Sequence, residues 1–349
     1  MSNTGKGCGP GCAIMLVAFV LGLVAFFTIS PILPHIQLPA ETLTTEPLFG
    51  NVYLTSTMVA MLLVDIVIIL LAVAASRAIK KAMNGGYMVP TGITGAIEAL
   101  LEVIHNLTES TAGKWTPRIF PWFAAITLFV LVANWMELIP GVDSVGLLHE
   151  VHGEGEGYPI KELVPGVNYI YEPRTEHKEE AQTGELGSGA EEATEPLYNV
   201  IPFVRVLSTD LNFTVGLALI AVVMVQVYGV MSHGGRYFLK FFAFDKVIPP
   251  SRVAKNPLGV IDLGVGFLEL ISEISKILSF SFRLFGNIFA GSVLLFVIGT
   301  LVSVVAQWLF LGLEFFVGLI QAVVFGMLTM VFMSQAVAGH GSHEEEGAH

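Results

Sequence analysis

Apolar residues come in long blocks along this chain, not in the alternation of surface strands. Runs at residues 13–32, 54–75, 120–139 and 208–231 are each long enough to cross about 30 Å of hydrocarbon as a helix. The stretch 258–307 is apolar, free of proline and about twice the length of a simple span. After a Gly-Thr break near Gly299, a further apolar run continues to Ala338. Such excess length implies strong tilt. Between the second and third spans, residues 97–107 place Glu98, Glu102 and His105 opposite Leu and Ile, the pattern of a helix lying at a membrane surface. The pattern predicts an all-α polytopic membrane protein. It has about six membrane helices, the last two forming a long, tilted hairpin, and one amphipathic surface helix.

Polar positions inside the last two runs are ordered. At about 100° per residue, Glu269, Ser272, Lys276, Ser279, Arg283, Asn287 and Ala290 fall on one stripe of a helix otherwise built from Leu, Ile, Phe and Val. In the final run Gln307, Glu314, Gln321 and Gln335 are separated by multiples of seven, so they share a stripe that drifts by only about 20° per heptad. A charge at the bilayer centre costs at least about 2.5 kcal/mol. Arginine cannot escape by losing its proton, because its pKa stays above about 12. Arg283 therefore faces water, a carboxylate or both, and reads as an ion-pathway residue.

Two polar stripes on adjacent tilted helices predict two aqueous pockets. Glu269, Ser272 and Ser279 lie toward the inside, Glu314 and Gln321 with Asn287 toward the outside, and Arg283 between them. A carboxyl group on a partner would take a proton from one pocket and release it to the other. Arg283 would keep that carboxyl ionised as it passes, since a nearby positive charge lowers an acid's pKa by about 1–3 units. No carboxylate of this chain is forced to pair with Arg283, so a partner subunit is expected.

Composition sharpens the class. The chain is 54% hydrophobic and 13% charged, against about 25% charged in soluble domains. Its net charge of −12 gives no nucleic-acid signal, and much of it lies in one loop, residues 140–201. There acidic residues far outnumber Lys161, Arg174 and Lys178. The part from 172 to 195 has the composition of a disordered segment. Lys and Arg concentrate in 76–118 and 233–255, which places both segments and both termini inside and the acidic loop outside. Cys8 and Cys12 stand alone, so neither a disulfide framework nor a metal or other cofactor is expected. The organisation reads as 1–50, an extra membrane helix (a retained anchor, with a cleaved signal peptide as the alternative) plus a short outside segment; 51–139, two spans and the surface helix; 140–201, the acidic loop; 202–338, the channel helices; and 339–349, an inside tail. Asp65 inside the second span reads equally as a structural or a pathway acid, and Asn134 and Glu137 as interfacial anchors. Neither H-E-x-x-H nor G-x-S-x-G occurs, so a non-catalytic chain is expected. A stand-alone secondary transporter or ion channel is the alternative, although no internal repeat of the transporter kind is visible.

The segment 281–291, SFRLFGNIFAG, resembles the signature of subunit a of the F-type ATP synthase, the membrane stator beside the rotating c-ring. The resemblance extends from about Asn51 to Ala338 and takes in NWMELIP at 134–140 and DLNFT at 210–214. It implies a proton-translocating subunit in the bacterial plasma (inner) membrane. Its partners would be the c-ring, whose carboxylate meets the arginine, the peripheral-stalk b subunits and the lipid bilayer, with no nucleic acid and no substrate but the transported ion. By resemblance Arg283 is the essential arginine and Asn287 the asparagine one turn on. Glu314 is the outside-channel acid or histidine, Gln321 the glutamine two turns later and Glu269 the inside-channel glutamate. Nine positions after Arg283, where many relatives carry Glu or His, stands Ser292. The outside pocket then rests on Glu314, with Glu137 and Asp210 as supporting groups. The N-terminal span and the acidic loop look like additions, and in the family the choice of proton or sodium lies mainly in the ring.

Overall fold

A computed structural model describes residues 20, 41–44, 46–47, 50–85, 93–150, 156–170, 175–176, 197–241, 258–301 and 305–338. Apart from Val20, the expected first span lies outside these residues, as do Cys8, Cys12 and the tail. Apart from Thr175 and Glu176, so does the segment expected to be disordered.

In chain order the helices are α1 (Ser56–Gly85), α2 (Ile93–Ala112), α3 (Thr116–Trp135), α4 (Leu211–His233), α5 (Leu258–Leu301) and α6 (Val305–Ala338). Five stretches of the described residues are long and apolar enough to cross a membrane: Ser56–Arg77, Gly95–Leu138, Leu211–His233, Gly264–Gly299 and Gln307–Ala338. The chain is therefore a multi-pass membrane protein. These five correspond to the expected second to sixth spans.

The described residues divide into two compact units. One holds residues 1–59, 137–205 and 289–316. It contains what the sequence did not lead us to expect, a set of short strands inside the acidic loop. They are β1 (Pro140–Asp143), β2 (Gly146–Glu150), β3 (Glu156–Gly157), β4 (Ile160–Val164), β5 (Val167–Ile170), β6 (Thr175–Glu176) and β7 (Tyr198–Pro202). Three antiparallel ladders nest in sequence: β2 with β7, β3 with β6 and β4 with β5. Register runs from Gly146 opposite Pro202 to Glu150 opposite Tyr198. Tyr158 and Tyr198 then exchange two backbone hydrogen bonds of 2.9 Å. Glycine is required at Gly146, where a Cβ would run into the backbone of Ile201 and Pro202. Gly166, at φ +87°, takes the left-handed position of the Pro165–Gly166 turn. The excess of Glu, Gly and Thr hid these strands, because it masks the short apolar words LLH, LV and YNVI.

The other unit holds residues 60–136, 206–288 and 317–349. Its core brings together Ile104 of α2, Ile119, Phe123 and Ala124 of α3, Val225 and Tyr228 of α4, and Met330, Met333 and Val337 of α6. Lipid tails give apolar faces no reason to leave the bilayer, so helices in it are joined by close packing and by hydrogen bonds. Both occur here. Gly326 brings α6 against Phe123 and Thr127. The Tyr228 hydroxyl donates to the Arg118 carbonyl at 2.6 Å, Ser334 to the Thr111 carbonyl at 2.8 Å and Ser232 to the Val337 carbonyl at 3.0 Å. By contrast, α1 leaves Leu62, Ile66, Ile69 and Leu70 more than half exposed, a face suited to lipid.

Candidate functional site

Because α5 is one unbroken helix through Arg283, its polar stripe survives folding. Ser272, Ser279 and Asn287 are exposed, and Glu269, Lys276 and Arg283 are half-buried. The Arg283 guanidinium donates to Ser279 Oγ at 3.3 Å, one turn back. Among the described residues it forms no ion pair. Lys276 behaves differently, although it shares the stripe. Its ammonium donates to Glu273 Oε1 at 2.8 Å and lies 4.6 Å from the centre of the Phe332 ring of α6. Glu273 is only 7% exposed, so this pair is internal, and among the described residues Arg283 is the cation of the stripe with no carboxylate beside it. Asn287 reaches α6, donating to Gln321 Oε1 at 2.9 Å. This joins two residues expected to work together. Gln321 is buried, and among the described residues its Nε2 has no partner.

A second cluster contains Glu314 and Glu137, which the sequence placed toward the outside, together with Ser292. The Ser292 hydroxyl donates to Glu137 Oε1. Glu314 of α6 is 6% exposed. Its carboxyl lies directly over Gly291, where any Cβ would collide with it, so the small residue beside Ser292 is what admits the acid. Glu314 Oε1 and Glu137 Oε2 are buried and, among the described residues, unpartnered. Glu314 and Asp143 both lie within electrostatic reach of Glu137. A hydroxyl both donates and accepts, and a carboxyl can hold or release a proton. The array Glu137, Ser292 and Glu314 can therefore carry protons. Among the described residues no group of His, Cys, Asp and Glu is arranged to hold a metal.

Two residues take up structural work. The Asp210 carboxylate accepts from the Asn212 N–H at 2.9 Å and caps α4, as an aspartate at an N-cap does. Asn134 is 2% exposed, which excludes the interfacial anchoring expected of it. It donates to the Gly318 carbonyl of α6 at 3.2 Å and accepts from the Ser208 hydroxyl at 2.6 Å, tying three segments together. Sequence reasoning missed this node and the Glu273–Lys276 pair. For the pair a signal existed, since an acid three residues before a lysine is a standard helix contact. Nothing in the sequence points from Asn134 to Gly318 or Ser208.

Residues 57–334 match the family described as ATP synthase A chain. The chain belongs to that family. Among similar proteins, the ATP synthase subunit a of Maricaulis maris is 28% identical over 279 residues, which cover 75% of this chain and 82% of the relative. That of Acinetobacter baumannii (strain ATCC 17978) is 27% identical over 266 residues, covering 75% and 76%. That of Desulforamulus reducens is 33% identical over 160 residues, covering 42% and 53%. The family match spans all five candidate membrane segments almost completely. It also contains Glu137, Asp210, Glu269, Ser272, Ser279, Arg283, Asn287, Ser292, Glu314 and Gln321.

Proposed function

We propose that the chain is the proton-translocating stator subunit of a rotary F-type ATP synthase in a bacterial inner membrane, with both termini on the inside. Two offset half-channels serve a carboxylate of the c-ring. Glu269, Ser272 and Ser279 form the inside one. Glu314, Gln321 and Asn287, helped by Glu137 and Ser292, form the outside one. Arg283 separates them. It favours the ionised carboxylate as the ring passes and blocks direct flow of protons between the pockets. Each proton crossing releases about 2.3 kcal/mol per 100 mV. The peripheral-stalk b subunits hold the chain against rotation. The chain itself catalyses no bond-making step.

One observation carries this reading. Arg283 is an intramembrane cation with a serine hydroxyl and no carboxylate beside it among the described residues, on a helix face where Ser272, Ser279 and Asn287 are exposed among Leu278 and Phe282, each at least half exposed. Lipid does not tolerate such a face, so another protein bearing an acid fits it.

The test replaces Ser279 or Ser292 by cysteine after Cys8 and Cys12 are changed to serine. ATP-driven acidification is then measured in vesicles treated with a membrane-impermeant thiol reagent from one side or the other. Ser279→Cys should be blocked only from the inside and Ser292→Cys only from the outside. Blockade of both from the same side would refute the two-pocket arrangement.

A further inference from the structure

The corner between α2 and α3 carries a feature that proton transfer does not use. Lys114, Trp115, Pro117 and Arg118 line an open cavity of about 290 Å³ that holds two cations and, among the described residues, no carboxylate. The Arg118 guanidinium lies over the Trp115 ring, 5.0 Å from its centre, and this cation–π contact restrains the long side chain beside the cavity. Trp115 stands at the N-cap of α3 yet offers no acceptor to the first-turn N–H groups. Gly113, at φ +51°, makes the turn that brings Lys114 round. Trp122 is 37% exposed further along α3, and indoles paired with basic residues at the end of a span mark the membrane–water boundary.

We propose that this cavity binds the phosphate of an anionic phospholipid headgroup. Lys114 and Arg118 contact the phosphate oxygens, and Trp115 and Pro117 lie against the glycerol. The volume is at the lower edge of the range of about 300–1,000 Å³ for small-molecule pockets, which suits a headgroup whose acyl chains remain in the bilayer. A soluble phosphate would use the cations but not the apolar wall or the position at the boundary. Since Tyr228 of α4 bonds to the Arg118 carbonyl, an occupied cavity would brace the α2–α3 corner against the bundle.

The test uses the full chain with Trp122, Trp135 and Trp308 changed to Phe, leaving Trp115 as the one indole of the four. It is reconstituted in vesicles of brominated phosphatidylcholine, which quench it. Unbrominated phosphatidylglycerol should restore the emission with an apparent affinity roughly tenfold above that of unbrominated phosphatidylcholine. Lys114→Gln with Arg118→Gln should bring the ratio to about one. Inorganic phosphate at millimolar concentration should have no effect. A response to phosphate with no preference for phosphatidylglycerol would move the occupant into solution and overturn the lipid assignment. Equal displacement by the two lipids, or a preference that survives in the double variant, would overturn the site. Spin-labelled versions of the two lipids give the same comparison on the wild-type chain, so the result does not depend on the Trp→Phe variant folding.

Discussion

Gly326 sets how closely α6 approaches α3, and replacing it by alanine has an effect that can be worked out. The added Cβ would lie 2.8 Å and 2.9 Å from Phe123 Cε2 and Cδ2 and would collide with Thr127 Oγ1. Carbon atoms settle at about 3.5–4.0 Å, so the Phe123 contacts alone require the helices to part by at least about 0.7 Å, and the clash with Thr127 requires more. Phe123 and Thr127 are both 0% exposed and cannot swing aside. Overpacking of this kind costs about 1–3 kcal/mol, while alanine's better helix propensity returns at most about 1 kcal/mol. The net loss is about 1–2 kcal/mol. Gly312, on the same helix, is the control, because a Cβ there meets nothing within 4 Å and only the propensity gain remains. At roughly 2–4 °C per kcal/mol for chains approaching this size, Gly326→Ala should melt several degrees below wild type in a common detergent. Gly312→Ala should melt at or above it. Parting the helices at Gly326 should also loosen α6 around Gln321, one turn and a half away, so ATP-driven acidification should fall in step. If Gly326→Ala melts as high as Gly312→Ala, the close α3–α6 approach is wrong.

Ser292→Ala removes the hydroxyl that bonds Glu137. Leaving a buried partner without its hydrogen bond costs about 1–3 kcal/mol, so acidification should slow by roughly tenfold with assembly intact, while Ser292→Thr keeps most of the rate; a wild-type rate in Ser292→Ala would remove Ser292 from the pathway. Glu41, ahead of α1, is half-buried, and burial pushes its carboxyl above the ordinary value of about 4.5 against the pull of Arg205. The folded state thus holds this proton more tightly than the unfolded chain does. The stabilisation is complete below pH 4.5 and is lost as pH rises through the raised value. Glu41→Gln should flatten that part of the melting profile, and an unchanged slope would contradict the assignment.

The helices were legible because a bilayer permits few solutions. Apolar runs of sufficient length must be helices. Arg283, which cannot be neutralised, stood out inside one of them, and the structure gives it a serine hydroxyl as hydrogen-bond partner. The pairing of Asn287 with Gln321 followed from two stripes facing one another. Glu137 with Ser292, and Asn134 with Ser208 and Gly318, join positions far apart in sequence, and only packing brings them together. Asp210 was read as a supporting group of the outside pocket; its carboxylate also caps α4, which the adjacent start of the helix signalled equally well. The strands of the acidic loop escaped notice because pairs such as Gly146 with Pro202 have no periodic signal, and the polar composition around them argued for disorder.

The central claim is that Arg283 is the charge that couples proton passage to the ring. ATP-driven acidification of inverted membrane vesicles, comparing wild type with Arg283→Ala at equal levels of assembled complex, tests it most directly. Pumping should be abolished while assembly is unchanged. Normal pumping by Arg283→Ala would contradict the account and reopen the reading of the chain as a transporter acting alone.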